Sequence, residues 1–302
     1  RDLHSFPTRR SSDLENSRGA LIACYASGPV SGNSSLESSA GGLAAKNMKG
    51  TIAACYASGS VSGAGYYVGG LVGNNDSGMI TSCYATGFVS GSYYPGGLVG
   101  ITQSGYVTYS FWDVQTSGQT MSDGGSGKTT AELQTMATFV NAGWDFVDES
   151  ACGLNDYWQM ADHDYPRLAM VNWTLAGEGT LGNPYIVANP ADLGKVWSRP
   201  SSYYWLGSPL DLSGISWSYS VVPAFAGVFD GRGFSISNLT VIRDWSDYIG
   251  LFGRLFKDSE LQNLGTENIS MRGSNFVGGL AGENYSGRIT ACHTTGSVQG
   301  EG

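Results

Sequence analysis

The sequence predicts an all-β protein: a right-handed parallel β-helix, or solenoid, built from 27–29-residue coils with short helical and loop caps. Three observations carry this. A block reading GGLVG-x-N-x-x-G-x-I-x-x-CYATG-x-VSG recurs from Gly41, Gly69 and Gly96, and again far downstream from Gly278. Its register is tight, since Cys55 to Cys83 is 28 residues (83 − 55) and Gly73 to Gly100 is 27 (100 − 73). Composition agrees: 45 of 302 residues are glycine and only 14% are charged, where ordinary soluble domains carry about a quarter charged residues. Finally, clusters such as Gly-Asn-Asn-Asp-Ser-Gly and Thr-Gly punctuate each block with turn chemistry. A fixed period of this size marks a stacked array whose units cannot bury a core alone. A propeller blade needs about 40 residues and four strands, so the period excludes it.

Taken in order, residues 1–14 stand apart. Phe6-Pro7-Thr8-Arg9-Arg10-Ser11-Ser12-Asp13-Leu14 reads like an in-frame translation of a synthetic sequencing adapter and has no periodicity. It is expected to be a disordered artefact, to be set aside from fold reasoning, and the true N-terminus is then expected to be missing. Residues 15–113 are expected to form the first repeat array. Within a repeat, Tyr67–Gly73, Met79–Ala85 and Phe88–Ser90 read as three strands. Strand alternation turns Leu71, Ile80, Cys83 and Ala85 inward. Ile80 and Cys83 differ in parity, so a bend or bulge is required between them.

Residues 114–172 break the pattern and read as a capping segment. Thr129-x-x-Glu132 is a capping box ahead of Leu133, Met136 and Phe139. Residues 173–200 form a transition in which Asn189, Pro190 and Asp192 signal another short helix. Such helices are expected to cover the open ends of a solenoid, whose unpaired strands otherwise invite aggregation. Residues 201–302 start a second, truncated array.

Cys24, Cys55, Cys83 and Cys292 share one column, three residues after Leu21, Ile52, Ile80 and Ile289. Leu239 and Leu264 take the same place after Ile236 and Leu261. Stacked coils would set column neighbours about 4.8 Å apart, within disulfide reach. Leucine cannot replace a metal ligand or an obligatory disulfide, so free buried thiols are expected.

At these residues the chain resembles the GLUG-motif repeat family. The motif stands here as Gly70-Leu71-Val72-Gly73-Asn74, then Gly78-x-Ile80, then Cys83-Tyr84-Ala85-Thr86-Gly87. The stretches Phe111-Trp112-Asp113, Gly143-Trp144-Asp145-Phe146 and Tyr165-Pro166-Arg167-Leu168 resemble what commonly follows such arrays. The resemblance implies a bacterial secreted or cell-surface β-helix of adhesin-like type, extracellular in location. It also implies that the chain holds the end of one module and the start of the next. The pattern departs at Gly41-Gly42-Leu43-Ala44-Ala45, which lacks the closing glycine, and at His293-Thr294, which replaces Tyr-Ala.

No catalytic, cofactor-binding or metal-binding constellation emerges. Gly124-Gly125-Ser126-Gly127-Lys128-Thr129 lacks the first glycine of a phosphate loop, which would stand at Ser122. The acidic run Asp145, Asp148, Glu149, Asp156, Asp162 and Asp164, with His163, matches no calcium loop. Cys152 with His163 is weak grounds for a thiol nucleophile. Asp76 and Glu283 sit singly in turns, and Arg288 and Lys49 have no acid nearby in sequence. A net charge of −9 without a basic cluster argues against nucleic acid. No apolar run approaches the ~18 residues of a membrane span.

Tyr25, Tyr56 and Tyr84 follow the cysteine column and should stack outward as a ladder, a possible glycan contact as well as a strand-stabilising stack. The function expected is a non-catalytic structural or adhesive segment that meets environmental or host glycans or surface proteins. A polysaccharide-active β-helix enzyme and a carbohydrate-binding module are the alternatives.

Overall fold

The computed structural model describes residues 14–32, 38–147, 152–169, 175–244 and 246–301. The adapter-like stretch through residue 13, and Asp148 and Glu149, lie outside the described residues. The chain is a parallel β-solenoid of about ten turns. It divides into two compact units, Arg1–Ala142 with Trp158–Leu168, and Gly143–Tyr157 with Ala169–Gly302.

In the first unit a complete coil holds five short strands, Tyr67–Gly69, Val72–Asp76, Met79–Thr81, Tyr84–Ala85 and Val89–Gly91. Each pairs in parallel with its counterparts one period away, so Ile80 lies between Ile52 and Val107, and Tyr84 between Tyr56 and Phe111. Two of the three expected strands are therefore split. The split at Ser82 is the bend that parity demanded. Ser82 is left-handed (φ 49), as are Ala23, Ala54 and Tyr109 in the same column. One such residue reverses the alternation, and both Ile80 and Cys83 become fully buried.

The other split, at Gly70-Leu71, explains the motif's glycines. A methyl group on Gly69 would collide with the carbonyl oxygen of Val72. One on Gly73 would stand 2.8 Å from Ala40 N and Ala45 O. Close backbone approach, rather than a positive φ, therefore requires glycine at both positions.

Among the described residues of the first unit the interior holds two apolar pillars. One stacks Leu43, Leu71 and Leu98 with Ile52, Ile80 and the cysteine column, and includes Ala85 as expected. A smaller one stacks Val30, Val61 and Val89 with Ala40 and Val68.

The late edge of the first unit is covered by extended chain, not by a helix. Gly97 N donates to Met121 O, Asp123 N to Val99 O, and Ser126–Lys128 pairs in parallel with Phe111–Asp113. An open strand edge needs backbone partners, which an extended segment offers and a helix has already used. The helices lie elsewhere: Val114–Ser117, Thr130–Leu133 behind the expected capping box, and Met136–Val140. Phe139 of the last packs edge-on against Phe111.

In the second unit the core is richer in aromatic residues. Phe229 is paired between Tyr204 and Leu261, and Phe225 packs on Phe252. Here a helix does reach the core. Pro190–Leu193 is capped by Asn189 Oδ1 accepting from Asp192 N at 2.9 Å, and buries Leu193. The early edge of this unit is occupied by chain, with Ile186 N donating to Ala176 O at 2.8 Å. Leu264 fills the cysteine column before Cys292 and is fully buried, but Leu239 does not: Ile236 pairs with Thr266 and Thr240 with Ser270, which sets the buried Leu239 opposite Ile269 in another column.

Candidate functional site

Tyr25, Tyr56 and Tyr84 form the expected stack, with ring centroids 5.2 and 5.1 Å apart and planes within 10°. Parallel pairing of Tyr56 with Tyr25 and Tyr84 dictates that spacing. The rings lie outside the main pillar, yet they do not face solvent: Tyr56 is 8% and Tyr84 2% exposed. Trp158 lies against both, 6.3 and 6.0 Å from their centroids, and Phe139 and Tyr165 close over Tyr84. The Tyr84 hydroxyl donates to the Pro166 carbonyl oxygen. Burial pushes both phenols up in pKa. The ladder thus becomes a second core, because flat apolar rings gain more from a dry cover than from water. Tyr25 stays half-buried.

The cover is anchored at Asp113. Its carboxylate is buried and accepts from Gln115 N, Thr116 N, Thr130 Oγ1 and the Tyr165 hydroxyl, the last at 2.6 Å. Desolvation raises the Asp113 pKa, but these hydrogen bonds outweigh it, and the net shift is downward. Tyr165 is pushed up to about 12, first by burial and then by its bond to Asp113. A folded pKa below the unfolded one means stability present above the unfolded value of about 4 and lost as pH falls through the folded value. Asp113→Asn should therefore cost about 1–2 kcal/mol at neutral pH, and the deficit should vanish in acid. Urea titrations of both proteins across that range measure it.

A further ladder went unread in the sequence. Asn16 Nδ2 donates to Asn47 Oδ1, and Asn47 Nδ2 to Asn75 Oδ1, each at 2.8 Å. Asn75 Nδ2 then closes on Gly78 O at 3.0 Å. The signal was present in the Gly-Asn-Asn-Asp cluster, which reads as turn chemistry until stacking brings the amides together.

The cysteine column proves to be polar as well as apolar. Each thiol donates to the carbonyl two residues earlier: Cys55 to Ala53 and Cys83 to Thr81. Each also accepts from the backbone of the preceding coil, Cys24 N to Cys55 Sγ and Cys55 N to Cys83 Sγ. Ser110 continues the column with the same two bonds. No disulfide forms among the described residues. The Cys24 thiol is pushed up by its hydrogen bond with Cys55 and by burial, and Cys55 by burial. A protonated thiol is a poor nucleophile. Maleimide at mildly alkaline pH should label half-buried Cys292 and spare Cys24 and Cys55 until the chain unfolds, as mass mapping of labelled peptides would show.

The remaining candidates are taken up by structure. Ser126–Lys128 is a strand, Thr129 caps a helix, and Lys128 pairs with Glu132 at 3.3 Å. Of the acidic run, Asp145 accepts from Asn155 N and Asp156 N within the second unit. Asp164 pairs with Arg167 within the first. Cys152, which is buried, and His163, which is exposed, fall in different units. Asp76 and Glu283, expected in turns, lie in strands, and Glu283 and Arg288 each meet an opposite charge a coil away. Arg254 lies 2.7 Å from Glu283, and Arg288 lies 3.9 Å from Glu260. Among the described residues no cluster of three potential metal ligands occurs. No described helix is long and apolar enough to cross a membrane.

Comparison with known proteins agrees with this architecture. Residues 64–90 match the family described as the GLUG motif. Halomucin of Haloquadratum walsbyi is 32% identical over 142 residues, covering 42% of this chain and 2% of Halomucin. A Gly-rich membrane protein of Evansella cellulosilytica is 34% identical over 122 residues, 36% of this chain and 14% of that protein. This chain therefore spans a small part of either relative. Halomucin comes from an archaeon, so similarity does not assign a bacterial source. No solved structure matches. The matched segment is one coil; its glycine and leucine columns recur in the coils on either side, its isoleucine and cysteine columns recur in the coils before it, and Val107 and Ser110 take those places after it, an arrangement consistent with the GLUG-motif repeat family.

Proposed function

We propose that this chain is a non-catalytic, structural and adhesive segment of an exported, surface-associated protein. One observation carries the reading: the recurring residues of the repeat are used up in packing. Gly69 and Gly73 admit neighbouring backbone, Leu71, Ile80 and Cys83 fill a pillar, Asn75 ends a ladder, and Tyr84 lies beneath a cover. What repeats is the scaffold, and the outward residues are left to vary. Similarity to a protein called Halomucin and to a Gly-rich membrane protein supports a surface location. Antibodies against the folded chain should label intact cells that express the whole protein, and external protease should strip that label. Labelling only after permeabilisation would overturn the reading, as would release of reducing ends from polysaccharides by the purified chain.

Glycan contact is a second reading. The stack of Tyr25, Tyr56 and Tyr84 supports it in form, with Tyr25 as the accessible ring. Tyr66 and Tyr93, whose rings lie 5.0 Å apart on adjacent coils, offer a more open aromatic surface, Tyr93 being exposed. Glycan-array binding lost on Tyr25→Ala or Tyr93→Ala would establish it, and binding unchanged by both would remove it.

A further inference from the structure

The triplet Asn-x-Ser or Asn-x-Thr, where x is not proline, is the acceptor for sugar transfer onto an asparagine amide. It begins at Asn33, Asn75, Asn172, Asn238, Asn268 and Asn284. Asn33 and Asn172 lie outside the described residues. Asn75 is fully buried in the asparagine ladder. Asn284 takes the same posture, its Nδ2 donating to Gly287 O at 3.1 Å as Asn75 Nδ2 does to Gly78 O at 3.0 Å. The triplets Asn238-Leu239-Thr240 and Asn268-Ile269-Ser270 are placed differently.

These two stand on adjacent coils of the second unit, with Thr240 paired to Ser270. Both asparagines are left-handed, at φ 59 and φ 49, a conformation that asparagine takes more readily than most residues. From there the chain alternates. Leu239 and Val241 are fully buried, and Ile269 and Met271 are 3% and 1% exposed. Asn238 and Thr240 are therefore turned to the outer face, as are Asn268 and Ser270, and each reaches solvent at least in part. The amide and the hydroxyl that a sugar-transferring enzyme must read share one surface. The residue between them holds the triplet to the core.

Hydrogen bonding tells the two apart. Asn238 is half-buried, its Nδ2 donates to Asp211 Oδ1 at 2.7 Å, and its Oδ1 accepts from Asn268 Nδ2 at 2.6 Å. Asn268 is exposed and spends one of its two amide hydrogens on that bond. The other can give way to a sugar carbon, and the bond to Asn238 survives, because a substituted amide keeps one N–H. A further coil follows, with Asn268 N donating to Thr295 Oγ1 at 3.2 Å, so the Asn268 side chain is exposed at the flank of the coils.

We propose that Asn268 is an N-glycosylation site and that Asn238 supports it. The proposal rests on the reading of the chain as exported. The donor is an oligosaccharide carried on a lipid phosphate, brought by a transferase in the membrane. Asn268 Nδ2 bonds to the anomeric carbon, the bond from that carbon to the phosphate oxygen breaks, the amide gives up one proton, and the lipid phosphate leaves.

Peptide mass spectrometry on the whole protein purified from the cells that produce it tests this, alongside antibody labelling of the same cells. Trypsin would release Asp258–Arg272, whose one acceptor triplet begins at Asn268, and Gly233–Arg243, whose one triplet begins at Asn238. The expected result is a glycan mass on Asn268 and none on Asn238. Ser270→Ala leaves the amide in place and should abolish the added mass, whereas Ser270→Thr should keep it. Ser270 lies on the outer face, so circular dichroism should show both variants folded. An exported protein bare at Asn268, a glycan on Asn238 in its place, or a modification that survives Ser270→Ala would overturn the site and leave export standing. A chain that antibodies reach only after permeabilisation would overturn export, and the site with it.

Discussion

Replacing Trp158 with alanine is expected to destabilise the first unit by about 4 kcal/mol. The indole is fully buried and lies against the rings of Tyr56 and Tyr84. Removing it forfeits the transfer energy of a large apolar group. It also leaves a cavity that cannot collapse, because parallel pairing holds the tyrosines at coil spacing. Urea unfolding followed by tyrosine fluorescence would report the loss, and a deficit below about 1 kcal/mol would show that the ladder stands without its cover. The variant also bears on glycan contact. With the tyrosines uncovered, any affinity they have for sugar rings should rise, so a folded Trp158→Ala chain that binds no better than wild type would argue that the stack is purely structural.

Asn47→Ala should cost nearly as much, about 3 kcal/mol. Asn47 is fully buried, accepts from Asn16, and donates to Asn75 and to Gly50 O. Truncation leaves a buried amide donor on Asn16 and a buried acceptor on Asn75 without their partner. Asn16 stands at the end of the ladder, so Asn16→Ala should cost only about 1 kcal/mol. That gradient separates a cooperative ladder from two independent turn residues. Equal losses at both positions, measured by chemical denaturation, would mean that each asparagine merely holds its own turn.

Much of the fold was legible from the period alone. A step of 27 or 28 residues, a repeated Ile-x-x-Cys and glycines at constant spacing leave few ways to close a coil, and parallel stacking follows from their identity across coils. Leucine at 264 marked the cysteine column as internal, as its burial bears out, whereas Leu239, matched to it by spacing, stands opposite Ile269 instead. The demand for a bend between Ile80 and Cys83 was met by a left-handed Ser82. What periodicity does not carry is what lies over a coil. It predicts that Tyr56 and Tyr84 leave the pillar, but the residues that cover them, Phe139, Trp158 and Tyr165, belong to the segment without a repeat. Nor does it distinguish an asparagine that makes a turn from one that also bonds to its neighbour a coil away.

The sequence by itself thus determined the coil, its inward columns and the parallel stacking, because those depend on local alternation and on equal spacing repeated along the chain. Only the tertiary structure decided which outward rings are dry, which thiols double as hydrogen-bond brackets, and which coil edges are occupied. Those depend on contacts between residues tens of positions apart, where burial and hydrogen-bond satisfaction are set by what happens to pack on top.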